Sequence, residues 1–179
     1  MFKTIALTLV VVLLIAIVAL LAFAATKPDT FRVERQITIK APADKIFALL
    51  NDFHRWPEWS PYENLDPQMQ RSYSGEANSK GAKYAWESSG KAGTGHMTIT
   101  ESSAPSKLLI DLDFMKPFEG HNIAEFTLAP ESDGTQVKWA MHGPAPFISK
   151  VMGTVFNLDK MIGKDFEVGL ANLKAASER

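Results

Sequence analysis

Four histidines, three carboxylates beside an aromatic segment and one close pair of aspartates are the side chains whose types invite chemistry. Histidine is the usual side chain for proton transfer near neutrality and a common metal ligand, which makes His54, His96, His121 and His142 the first candidates. Their spacing argues against both uses, because no H-x-H or H-E-x-x-H pattern brings two of them together. His96 is out of phase with Met97 and Ile99, and His121 with Ala124, Phe126 and Leu128, so both are expected to point away from a core. Asp111 and Asp113 share one face of an alternating run whose other face is Leu108, Ile110, Leu112 and Phe114; that pair reads as solvated surface. Glu58, Glu63 and Asp66 border the run Trp56-Pro57-Glu58-Trp59-Ser60-Pro61-Tyr62, and capping or turn roles suit them. There is no G-x-S-x-G elbow. Gly93-x-Gly95 leads into a strand rather than a helix, so it is not a dinucleotide loop. We therefore assign no catalytic residue, no metal ligand and no cofactor from the sequence.

The aromatic and apolar residues are the better lead. Trp56 is expected to pack as core, while Trp59 and Tyr62, set between prolines, are expected at a cavity mouth or a membrane interface. On that reading Trp59→Ala weakens ligand binding without unfolding the domain. What must position these residues is a chain of 179 residues with no cysteine, 46% apolar residues and a net charge of −1. Lack of cysteine excludes a disulfide scaffold, cysteine zinc sites and a thiol nucleophile. The balanced charge lacks the basic footprint of a nucleic-acid binder.

The apolar residues are unevenly spread. Ile5 to Ala25 has Thr8 as its only polar position, and about 20 apolar residues suffice to cross a bilayer. Residues 1–26 are read as a retained single-pass anchor. A cleaved signal is the rival, favoured by Lys3 and by Ala22-Phe23-Ala24 as an A-x-A site, but its apolar core is usually about 7–15 residues. Lys27, Arg32 and Arg35 pull the following domain toward the cytoplasm, and a signal-like start pulls it outward.

Residues 27–30 are a short linker, and residues 31–179 one domain of ordinary size. Phe31 to Lys40 alternates as a half-buried strand, with Arg35 interrupting its apolar face and needing a strand end or a buried partner. Pro42 and Asp44 open a short helix, a second short helix follows, and Asn51-Asp52, Pro57 and Pro61 limit both. Six further alternating runs follow: Gln68 to Tyr73, Ala82 to Ser88, Gly95 to Glu101, Lys107 to Phe114, His121 to Leu128 and Thr135 to His142. Their even spacing predicts an antiparallel meander. From Ile148 through Val151, Met152, Val155, Phe156, Met161, Ile162, Phe166 and Leu170 to Leu173 the apolar period is helical, predicting one long terminal helix. Gly163 and Gly169 within it suggest places where something approaches closely.

The order strand, two short helices, six strands, long helix gives an α+β domain whose sheet must cover its apolar face with that helix. The motifs Arg35-Gln36-Ile37-Thr38-Ile39, Ala41-Pro42, Asn51 to Pro61, Gly81 to Trp86 and Gly93 to Ile99 make residues 31–175 resemble the START-like, or SRPBCC, superfamily. Its polyketide cyclase/dehydrase and lipid transport branch fits best. The resemblance implies a helix-grip fold, a seven-stranded antiparallel sheet wrapped around a long C-terminal helix, here preceded by one transmembrane helix. It also implies a cavity for an apolar molecule, and a leading hydrophobic segment shared by some bacterial members, hence a bacterial cell membrane location.

The residues expected to line that cavity are Trp59, Tyr62, Tyr84, Trp86, Met97, Phe114, Phe126, Trp139, Met141, Met161 and Phe166. The expected function is membrane-tethered binding of a lipid or other hydrophobic small molecule. A cyclase/dehydratase-like enzyme using the same cavity, or a protein-interaction module with a filled core, are the alternatives. No nucleic-acid partner is expected.

Overall fold

The structure is a computed structural model describing residues 2–179. The apolar N-terminal segment forms α1 (Phe2–Ala25). Its one polar interior residue, Thr8, satisfies itself by donating to the Thr4 carbonyl (2.9 Å). The helix is long and apolar enough to cross a membrane.

The strands run β1 (Thr30–Ile39), β2 (Gln70–Ser74), β3 (Lys83–Glu87), β4 (Thr94–Ser103), β5 (Lys107–Lys116), β6 (Gly120–Glu131) and β7 (Gly134–Pro144). They form one seven-stranded sheet in the order β1-β7-β6-β5-β4-β3-β2, so a plain meander from β2 to β7 is completed by β1 at the far edge. Pairing from β2 through β7 is antiparallel throughout. The period-two patterns place Ile99, Ile110, Ala124 and Met141 in one cross-strand row, and Trp86, Gly95 and Phe114 in another. Those rows form the concave, apolar face.

Between β1 and β2 lie α2 (Ala43–Leu50), which buries Ile46, Phe47, Leu49 and Leu50, and two 3-10 turns, Phe53–Glu58 and Pro61–Asn64. The second short helix and the aromatic loop expected here are these two turns. Pro61 starts the second turn, where its missing N–H costs nothing. The Asp52 carboxylate caps the first by accepting from the His54 N–H (2.9 Å).

The single terminal helix expected from the apolar stripe is two helices, α3 (Phe147–Val155) and α4 (Leu158–Ser177). Phe156 is extended (φ −115°, ψ 138°) and breaks them apart. Gly153, Thr154 and Val155 are three consecutive residues of low helix propensity, and Asp159 supplies the negative charge that favours a new start. α4 buries Phe166, Leu170 and Leu173 and is the gripped helix. α3 buries none of its residues.

The chain divides into two compact units. One comprises the residues up to Phe31 together with Pro144–Leu158; within it α3 packs against α1. The other comprises Arg32–Gly143 and Asp159–Arg179, the sheet with α2 and α4.

Candidate functional site

The concave face has two different ends. At one end Leu108, Ile110, Leu128 and Val137 are buried. A ring cluster fills the space beside them. Trp139 lies flat on Phe166 (centroids 4.0 Å, 9° between planes), and Trp59 meets Phe126 and Trp139 edge-on at 5.9 and 5.5 Å. Trp56 joins through Trp59 at 5.0 Å. The indole N–H groups of Trp56 and Trp59 donate to the Leu50 and Leu49 carbonyls (2.9 and 3.2 Å). These bonds tie the first 3-10 turn to the end of α2.

Trp59 is thus a core residue, only 1% exposed, and not a residue of a cavity mouth. The reason is local: the 3-10 turn ending at Glu58 turns its ring under α2, where flanking prolines in an open loop would have left it outside. Phe126, Trp139 and Phe166 belong to the same packed cluster, so this part of the expected void is occupied by side chains.

At the other end the same face is half exposed. Leu112, Phe114 and Met141 point inward by register but are only half-buried, and Trp86 and Met97 stand behind them. Trp86 meets Phe114 edge-on at 5.8 Å. Tyr62, in the second 3-10 turn, stands beside the ring cluster instead, its ring 6.3 Å from Trp139. Burial, and then the Asp165 carboxylate, push its phenol far up, so it stays a neutral hydroxyl. Met161 is not brought to the site: it is 58% exposed. The buried line of α4 runs through Gly163, Phe166, Gly169, Leu170 and Leu173, and Met161 stands roughly 120–180° around the helix from its large side chains.

Two polar atoms inside the fold lack a partner among the described residues, the Trp139 indole N–H and the Ser60 hydroxyl. A buried donor without an acceptor carries a real penalty, of order 1–3 kcal/mol.

The titratable groups are placed for structure. Glu63 is buried, and its carboxylate accepts from Arg71 Nε (2.7 Å) and the Tyr84 hydroxyl (2.8 Å), while Arg71 also donates to the Glu63 and Met69 carbonyls. Burial, and then Glu63, hold the Tyr84 phenol well above its ordinary value. Both Glu63 oxygens are engaged, which leaves the group as a tie between the second 3-10 turn, β2 and β3. In the sequence the only mark of this network is that Arg71 shares one face of β2 with Tyr73. Glu58 pairs with Arg55 (2.8 Å), and Asp66 accepts from Ser88 and from the Gln68 N–H, a turn role.

His96 and His121 both lean on Asp113 from the convex face (3.3 and 2.6 Å), and the hydrogen bond that the His121 ring donates to the Asp113 carboxylate raises the His121 pKa. His142 approaches Glu125 at 4.0 Å. His54 stacks on Tyr73 (4.1 Å) beside a pocket of about 150 Å³ lined by Asp52, Asn78 and Lys83. Among the described residues no three such groups are arranged to hold a metal ion.

Arg35, the polar residue on the apolar face of β1, finds its partners on α4: Asp159 (3.0 Å) and Glu167 (2.9 Å). It lies over Gly163, where a Cβ would stand 1.9 Å from its guanidinium. Gly169 likewise admits the Trp139 ring, whose nearest carbon would be 2.7 Å from an added Cβ. Both glycines are the thin places the helix needed.

Solved structures share this architecture. A protein of Chromobacterium violaceum is 17% identical, with 86% of this chain and 99% of that one covered at a TM-score of 0.58. A protein of Thermobifida fusca is 20% identical (80% and 90% covered, TM-score 0.60). The di-domain ARO/CYC StfQ from the steffimycin biosynthetic pathway is 12% identical, covering 83% of this chain and 51% of its own length, at a TM-score of 0.65. At these identities the likeness is one of fold. No curated protein matches the sequence. The model of the family described as polyketide cyclase / dehydrase and lipid transport matches residues 30–178, and the chain belongs to that family.

Proposed function

We propose that the domain binds a lipid or other apolar small molecule at the open end of its concave face, and that α1 tethers it to a membrane. In this reading residues 1–26 are the anchor, 27–30 the linker and 31–179 the binding domain. The observation that carries it is the group of half-buried apolar residues Leu112, Phe114 and Met141 on the inward face of the sheet. Burying such a group against a ligand is favourable by about 25 cal/mol per Å².

The test is native mass spectrometry of the detergent-extracted full chain, followed by lipid extraction and thermal shift against a lipid panel. A co-purifying apolar molecule, lost in Phe114→Ser and Met141→Ser, is the expected result. Recovery of none, with no stabilisation by any lipid, overturns the reading. The intact mass also tells a retained anchor from a cleaved signal.

A further inference from the structure

Resting on the reading of α1 as a bilayer-spanning helix, we infer that α3 is a second membrane element: an amphipathic helix whose apolar face lies in the bilayer at the headgroup–acyl boundary.

Phe147, Ile148, Val151, Met152 and Val155 recur at helical spacing over about 140° of the circumference, with Phe156 following directly after the helix, while Ser149, Lys150, Gly153 and Thr154 occupy the rest. Of the apolar six, all but Val151 are between 45% and 64% exposed. A run of large exposed apolar side chains on one helix marks an interaction surface. Its place in the fold says which kind. α3 packs on α1 within one compact unit, and it is fastened close to the end of α1: the Ala145 N–H donates to the Asp29 carbonyl (2.7 Å), and Lys150 pairs with the Asp29 carboxylate. Asp29 lies four residues beyond the last residue of α1. That helix has 24 residues, about 36 Å at 1.5 Å each, enough to fill a hydrocarbon core of about 30 Å and end at its surface. A segment fastened there is at the membrane–water boundary, where a helix with one apolar face buries it about 5–10 Å deep.

The charge pattern sharpens the lipid chemistry. The one cation on α3, Lys150, is 9% exposed and paired with Asp29, so the helix offers no basic face to anionic headgroups. Insertion is driven by apolar area, requires no anionic lipid, and is insensitive to salt.

The absence of cysteine allows single labels without background. Full-length protein carrying Ile148→Cys, Met152→Cys, Val12→Cys or Glu131→Cys is labelled with an environment-sensitive fluorophore and reconstituted in phosphatidylcholine vesicles. Quenching is then read with lipids bearing a nitroxide at a shallow or a deep carbon. All four positions are exposed, so none of the labels disturbs the core. Blue-shifted emission at 148 and 152, quenched more by the shallow than by the deep nitroxide and unchanged in high salt, is expected. Position 12 then reports deep quenching, and 131 reports none. Water-like, unquenched emission at 148 and 152 beside deep quenching at 12 overturns the inference and leaves the anchor standing. A blue shift at 148 and 152 without nitroxide quenching also overturns it, in favour of a second copy or another protein on this face. Loss of quenching at 12 removes the anchor itself, and the inference with it.

Discussion

Gly163 and Gly169 admit two different guests into α4, and their replacement by alanine separates two kinds of close approach. Alanine gains about 1 kcal/mol of helix propensity at either position. At 163 the obstacle is the far end of Arg35, a flexible side chain whose partners Asp159 and Glu167 are themselves exposed, so it swings aside. At 169 the obstacle is the Trp139 ring, held flat against Phe166, with Pro61 behind at 3.0 Å. Overpacking such a site costs about 1–3 kcal/mol. Gly163→Ala should therefore keep or raise the melting temperature, and Gly169→Ala should lower it; thermal unfolding of the two variants side by side checks this.

The Tyr84–Glu63 hydrogen bond gives a second test at the same scale. Tyr84→Phe strands one oxygen of a buried carboxylate and should cost about 1.5–3 kcal/mol, the range for hydrogen bonds to charged groups. The pH dependence follows from sign. The folded state holds the Tyr84 proton more tightly than the unfolded chain, where the phenol titrates near 10.0. Its contribution is complete below that pH and is lost progressively above it, as the unfolded state deprotonates first. Denaturant unfolding between pH 9 and 11 should show a fall that is shallower in Tyr84→Phe. Arg71 was invisible beforehand because its pairing needs a 3-10 turn eight residues earlier to fold back over β2. The need of Arg35 for a partner, by contrast, was plain from one charge on an apolar face.

At the scale of elements, strands were legible and helix continuity was not. Alternation fixes both the existence of a strand and the side it buries, so β3 to β7 fall where their patterns lie. The aromatic segment did not reveal itself as two 3-10 turns, because prolines mark where an α-helix stops and not what replaces it. In the C-terminal region one apolar stripe runs through both α3 and α4. Period detects an amphipathic face but not what covers it, so an exposed helix and a gripped helix look alike. α4 itself discriminates between the two. Phe166→Ala, removing a ring that is 1% exposed, should destabilise by about 3–5 kcal/mol, whereas Met161→Ala should stay within about 0.5 kcal/mol. Urea unfolding midpoints of the two variants check the assigned phase of the helix.

For the molecule as a whole, the closed and open ends of the concave face predict different mutational behaviour. Trp59→Ala removes a ring buried among Trp56, Phe126 and Trp139 and leaves the Leu49 carbonyl without its donor. It should destabilise by about 3–5 kcal/mol, and loss of cooperative thermal unfolding near the wild-type temperature would register that. Phe114→Ser and Met141→Ser, at half-buried positions, should shift the melting temperature far less.

That division has a consequence for change. A sheet clamped at one end by a rigid aromatic cluster does not need its other end to stay folded. Side chains there are free to be exchanged, enlarged or made polar while the clamp keeps the strands in register. Redesign confined to positions 112, 114 and 141 should therefore yield many folded variants with altered preferences, and the same freedom would let such a domain drift from one guest to another without passing through an unfolded intermediate form.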